Sequence, residues 1–97
     1  MNEVAERVLG IVSSIPDGRV MTYGDVAEAA GTGPRAVGQI LRNDGHDVPW
    51  WRVVDATGRP VRAAAHGALA HFLEESTPLL SQGDDVRVDL ARAGAAI

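Results

Sequence analysis

The stretch TYGDVAEAAGTGPRAVGQILRN, residues 22–43, constrains the fold more than any other part of the chain, because it holds the start and stop signals of two consecutive helices. Thr22 with Asp25 three residues on resembles a capping box, and Gly31 ends the short helix YGDVAEAA. GTGP is then a tight turn, and Pro34 suits the first position of the next helix, PRAVGQILRN, where its missing N–H has no partner to lose. Two short helices joined by a glycine turn read as a helix-turn-helix. On the second, Val37, Ile40 and Leu41 make an inward stripe, while Arg35, Gly38, Gln39 and Arg42 follow i, i+3, i+4, i+7 and share the outer face. Gly38 in mid-helix costs about 1 kcal/mol relative to alanine. Either the close approach of another surface or tight packing on the preceding helix accounts for it.

The remaining segments fit around this unit. NEVAERVLGIVSSI places Val4, Val8, Ile11, Val12 and Ile15 at helical spacing, PDGR closes that helix, and VMT is short and extended. After the helix-turn-helix, NDGHDVP is a loop, WRVVDATGRPV reads as a hairpin turning at DATG, and HGALAHFLEEST as a helix. DDVRVDLARAG is a short final strand with a frayed end. The expected fold class is mainly α (α+β), a small winged-helix-like helix-turn-helix domain with a short hairpin, with residues 1–97 as one domain.

Composition removes several function classes. Cysteine is absent, which excludes disulfides, thiolate metal sites and a cysteine nucleophile. Of the histidines, His66 and His71 are five apart and fall on different helix faces, and His46 lies elsewhere, so no metal site is expected. No serine sits in a nucleophile elbow and no phosphate loop is present, so no catalytic residue and no cofactor is expected. No apolar run approaches the roughly 18 residues of a membrane span, and the N-terminus is acidic; the expectation is a cytoplasmic monomer without a membrane partner.

The net charge of −4 argues against a nucleic-acid binder until its distribution is read. Residues 19–62 carry six arginines against five acids, and this is the only segment that is not acidic. Lysine is absent, so all nine basic residues are arginines, whose planar fork grips phosphate and stacks on bases. Genomic base composition alone also yields such a set. A local arginine face binds phosphate despite a negative total, with modest affinity.

Three motifs, TYGDVA, RAVGQILRN and VPWWRVV, occur in the order and near the spacing of a known family. The chain resembles the DNA-binding domain of the O6-alkylguanine-DNA alkyltransferases over residues ~4–62, and more weakly beyond. That family has a Ser/Thr-Tyr pair opening its second helix, Arg-Ala-Val-Gly on the recognition helix, and Pro-Cys-His-Arg-Val. Here the acceptor cysteine position holds Trp50, as in the alkyltransferase-like proteins with Pro-Trp-His-Arg. A further departure is Trp51, where both groups usually keep a histidine.

The resemblance implies a function without chemistry: binding of duplex DNA that carries O6-alkylguanine, extrusion of that base into a pocket, and flagging for nucleotide excision repair proteins. It implies that Tyr23 presses on the phosphate beside the lesion and that Arg35 enters the stack in place of the extruded base. The recognition helix would lie in the minor groove, where Ala36 and Gly38 supply small residues, with Gln39 and Arg42 on the same outer face and Asn43 as a hinge or pocket-supporting residue. Pro49 and Trp50 would belong to the pocket, Arg52 would hold the pocket strand, and Arg62, after the expected hairpin, would sit near the pocket mouth and sense the base's electrostatics. Trp50 is read as a pocket wall and Trp51 as a core residue, because neighbours on an extended strand point to opposite faces. The alternatives are a transcription regulator without lesion specificity and a catalyst. A glycosylase needs a pocket carboxylate, with Asp44, Asp47 and Asp55 as the candidates. Against the regulator, Ala36 and Gly38 stand where a base reader presents long polar side chains.

Overall fold

The computed structural model of the protein describes residues 2–61, 65–83 and 85–95. Helix α1 spans Glu3–Ser13, with the Asn2 side chain accepting a hydrogen bond from the Ala5 amide at 2.7 Å. Strand β1, Met21–Thr22, runs directly into α2, Tyr23–Ala30. The Thr22 hydroxyl accepts from the Asp25 amide at 3.1 Å, so the expected N-terminal cap forms. Gly31 ends α2 in the left-handed conformation, φ 73°, and α3 follows as Pro34–Asp44 with proline in its first turn.

Two short 3-10 turns, Gly45–Asp47 and Trp50–Arg52, lead into β2, Val53–Val54. Helix α4 is Ala65–Glu74, β3 is Leu79–Ser81, β4 is Arg87–Val88, and α5 is the single turn Leu90–Ala93. Among the described residues, no helix is long and apolar enough to cross a membrane.

The expected hairpin at WRVVDATGRPV does not form. The turn itself is present: the Gly58 amide donates to the Asp55 carbonyl at 3.0 Å, and the Asp55 amide to the Arg59 carbonyl at 2.9 Å. The return strand is missing, and β2 pairs instead in parallel with β1, Met21 opposite Val53 and Thr22 opposite Val54. Two physical reasons favour this. Pro60 has no N–H to donate to a ladder, and Val53 and Val54 are both fully buried, as a strand covered on two faces requires. Among the described residues, the antiparallel hairpin is β3–β4, further along. Gly58, at φ 88°, joins the two regions: the Val88 amide donates to its carbonyl at 2.8 Å, and a Cβ there would overlap the Val88 carbonyl.

The short parallel pair divides two apolar clusters. Met21 and Val53 face the helical side, with Val8, Val12 and Ile15 of the α1 segment, Val26 and Ala30 of α2, and Val37 and Leu41 of α3. Val20 and Val54, one residue removed, face the other side with Ala68, Phe72, Val86, Val88 and Ala93. The period-two alternation of a strand thus sends successive residues into different halves of the interior. Each fully buried valine or phenylalanine contributes about 1.5–3 kcal/mol relative to exposure. The segment PWWRVV therefore runs through the centre of the molecule.

Candidate nucleic-acid interface

One open cavity of about 860 Å³ lies beside the helix-turn-helix. From α2 and α3 it is lined by Tyr23, Arg35, Gly38, Leu41 and Arg42. The opposite wall is Trp50 from the 3-10 turn, then Asp55, Ala56 and Val61 beyond β2. The wall is mainly apolar, with two guanidinium groups on one side and a single carboxylate on the other. This is the chemistry that receives a planar, partly polar ring system.

Helical spacing explains one side of it. Arg35, Gly38 and Arg42 recur along α3 at three- and four-residue intervals, so they present one stripe. Gly38 keeps that stripe low. A Cβ there would meet only Tyr23 Cε1, at 3.9 Å, an ordinary contact. Packing on α2 therefore does not demand glycine, and the open cavity on the other side is what a side chain would narrow. Gly38→Ala is expected to stabilise the fold by up to about 1 kcal/mol while weakening binding of a ligand in the cavity. Thermal denaturation and duplex titration of the same variant check the two opposite effects.

The parallel register explains the other side. Thr22 lies opposite Val54, so the next residue of each strand, Tyr23 and Asp55, reach the cavity together. Burial, then the negative charge of Asp55, push the Tyr23 phenol above its usual range, against a smaller opposing effect of Arg42. Tyr23 is consequently a neutral hydroxyl donor at physiological pH. It does not repel a phosphate.

The adjacent tryptophans diverge because a 3-10 turn advances about a third of a revolution per residue. Their rings stand edge to face, at 87° and 5.7 Å. Trp50 lines the cavity, with Gly67 of α4 close to the far end of its indole, where a Cβ would lie 3.9 Å from Cη2. Trp51 turns to α4, stacking on His71 at 3.6 Å with the planes 5° apart. It is half-buried at the edge of the second cluster, not inside the core as expected, and the separation arises from a 3-10 turn and not from an extended strand.

Arg52 points away from the cavity. Its guanidinium forms a two-pronged contact with Glu75, Nε to Oε1 at 3.0 Å and Nη2 to Oε2 at 2.6 Å, with Nη1 on the Ile15 carbonyl at 2.8 Å and Nη2 on Asp17 at 2.6 Å. Arg52 thus fastens the turn before β2 to the end of α1 and the end of α4. Glu75 also accepts from the Gly18 amide and from the Trp51 indole N–H, each at 3.1 Å. Desolvation raises the Glu75 carboxyl, but these hydrogen bonds outweigh it and hold the group below the usual carboxylate range.

The other sequence-predicted residues are dispersed. Ala36, half-buried, and Gln39 and Asn43, both exposed, lie on α3 outside the cavity wall. Pro49 caps the 3-10 turn that carries Trp50, and Arg62 lies outside the described residues. Leu41, His46, Ala56 and Val61 line the cavity beyond the sequence expectation, Asp55 lines it although the sequence offered it only as a carboxylate for the catalyst alternative, and Glu75 is a support the sequence did not mark. For Asp55 the missing signal was the parallel pairing of VMT with VV. Of the three candidate carboxylates, only Asp55 is on the wall.

A helix-turn-helix whose second helix borders an open, mainly apolar, arginine-flanked cavity has the layout of a DNA-binding module. The family described as 6-O-methylguanine DNA methyltransferase, DNA binding domain, matches residues 3–77, and the chain belongs to this family. Within it, the chain is 50% identical over 58 residues to the DNA base-flipping protein of Escherichia coli strain K12, covering 55% of this chain and 44% of that protein. It is 38% identical over 63 residues to alkyltransferase-like protein 1 of Schizosaccharomyces pombe, covering 60% of this chain and 57% of that one. The chain thus matches less than half the length of the E. coli relative. The crystal structure of S. pombe Atl1 in complex with damaged DNA containing O6-carboxymethylguanine superposes with a TM-score of 0.86 and 26% identity, covering 100% of this chain and 98% of that chain.

Proposed function

We propose that this protein binds duplex DNA containing O6-alkylguanine, extrudes the damaged base into the cavity bounded by Tyr23, Gly38 and Trp50, and leaves the alkyl group in place. The observation that carries this reading is Trp50 on the cavity wall, in a motif position where the transferring enzymes have a cysteine. An indole offers a broad face for stacking and no nucleophile of the required strength. The chain contains no thiol that would accept an alkyl group.

Extrusion of a base costs a few kcal/mol, and side chains that fill the gap offset part of it. Arg35, exposed at the start of α3 and lining the cavity, enters the stack in place of the base. Tyr23, a neutral hydroxyl on the same α2–α3 side of the cavity, presses on the neighbouring phosphate. Arg42, Gln39 and Asn43 present polar groups to the DNA backbone along the same helix. On this reading the protein acts as a monomer in the cytoplasm, and the protein–DNA complex is the signal that nucleotide excision repair proteins take up.

Matched duplexes with guanine or with labelled O6-methylguanine at one position test this in a single experiment. The lesion duplex is expected to bind more tightly, and all label to stay on the DNA. Label on the protein, or equal affinity for the two duplexes, would contradict the proposal.

A further inference from the structure

Asp55 is the one acidic side chain on the cavity wall among the described residues. Its position is built, not incidental. Oδ1 accepts hydrogen bonds from the Thr57 amide at 2.8 Å, the Thr57 hydroxyl at 2.6 Å and the Arg59 amide at 3.0 Å, while Oδ2 takes part in none of them. The carboxylate is thereby fixed at the exit of β2, beside Tyr23, because Thr22 and Val54 are paired in register. Burial pushes its carboxyl up, but the bonds from Thr57 and the Arg59 amide outweigh this and hold it below the usual carboxylate range. Asp55 therefore carries its negative charge at any physiological pH.

An O6-substituent is the variable part of an O6-alkylguanine, and its charge is what a fixed carboxylate in the same cavity senses. We infer that Asp55 is a selectivity residue, biasing the cavity against adducts that end in a negative charge and towards neutral and cationic ones. This rests on the base-binding reading above. Unit charges a few ångströms apart interact by about 1 kcal/mol in bulk water and several times more near a protein surface, so the bias is expected to be roughly fivefold or more. Arg35 and Arg42 also act on a charged adduct from the α3 side, and Arg59 acts on Asp55 itself, so the absolute preference is set by more charges than Asp55. The part due to Asp55 is isolated by changing Asp55 alone.

Asp55→Asn makes that change while an amide oxygen remains to accept the three bonds at the turn. Affinities of wild type and variant are measured for four duplexes that differ at one base: guanine, O6-methylguanine, O6-carboxymethylguanine and O6-(2-aminoethyl)guanine. Relative to O6-methylguanine, the variant is expected to gain roughly fivefold for the carboxymethyl adduct and to lose roughly fivefold for the aminoethyl adduct. A general loosening of the turn does not move the two ratios in opposite directions. Unchanged ratios, with thermal stability retained, would overturn the inference while leaving base binding intact. No preference of wild type for O6-methylguanine over guanine would overturn the base-binding reading and the inference with it.

Discussion

Replacing Glu75 with alanine is expected to cost about 3–5 kcal/mol, the loss typical of removing one partner from a buried ion pair. Arg52 and Glu75 expose only 11% and 10% of their side chains, so the guanidinium left behind is poorly solvated and retains only the largely exposed Asp17 carboxylate and the Ile15 carbonyl. The indole N–H of Trp51 and the Gly18 amide lose their acceptor at the same time. A chain of this length has about 5–15 kcal/mol of total stability, and each kcal/mol moves its melting temperature by roughly 4–8 °C. The variant should therefore melt at least about 12 °C lower, checked by circular dichroism on heating; a shift below about 4 °C would mean the pair contributes little.

The same carboxylate sets an acid limit. Because its folded pKa lies below the unfolded value, its contribution is complete above about pH 4.5 and is lost as pH falls through the folded value. Asp55 and Asp85, also lowered, add to that slope. Glu75→Gln should flatten the acid limb of the stability curve without removing it.

The helix-turn-helix was legible because its information is local. Thr22 and Asp25, Gly31, and Pro34 lie at the boundaries they define, and the stripe Val37, Ile40, Leu41 has helical period. The β1–β2 pair was not legible. Two-residue strands carry no periodic signal, and their partnership is decided by burial on both faces, which only the assembled interior supplies. The DATG turn is legible in its residues, whereas a return strand after it is ruled out by Pro60, which has no N–H to give a ladder.

The site divides along the same line. Tyr23, Arg35, Gly38, Arg42 and Trp50 were legible from helix faces and motif order. Asp55 depends on the strand register. Glu75 depends on a contact with Arg52 that spans 23 residues, and nothing near it in sequence marks it. The part of Arg52 as a holder of the pocket strand followed from the resemblance. The partners it holds to did not.

The second large effect concerns Trp50. Stacking on an aromatic side chain contributes about 1–3 kcal/mol per base, so Trp50→Ala should lose roughly one to two decades of preference for a lesion. Contacts from arginines to phosphates are untouched by the change and should keep affinity for unmodified DNA near its original level. Trp50 also packs on the second cluster, so Trp50→Leu, which keeps apolar bulk without an indole, separates loss of stacking from loss of fold. Trp51→Ala should behave in the opposite way. It removes the His71 stack and the bond to Glu75, and so lowers thermal stability more than lesion preference.

The central claim is that the face of Trp50 receives the extruded base. The measurement that bears on it most directly is the ratio of affinities for O6-methylguanine and guanine duplexes, taken for wild type, Trp50→Leu and Trp51→Ala at one salt concentration. The ratio is expected to collapse by at least about tenfold in the Trp50 variant and to stay nearly unchanged in the Trp51 variant. A ratio equal to that of wild type in a folded Trp50→Leu protein would contradict it.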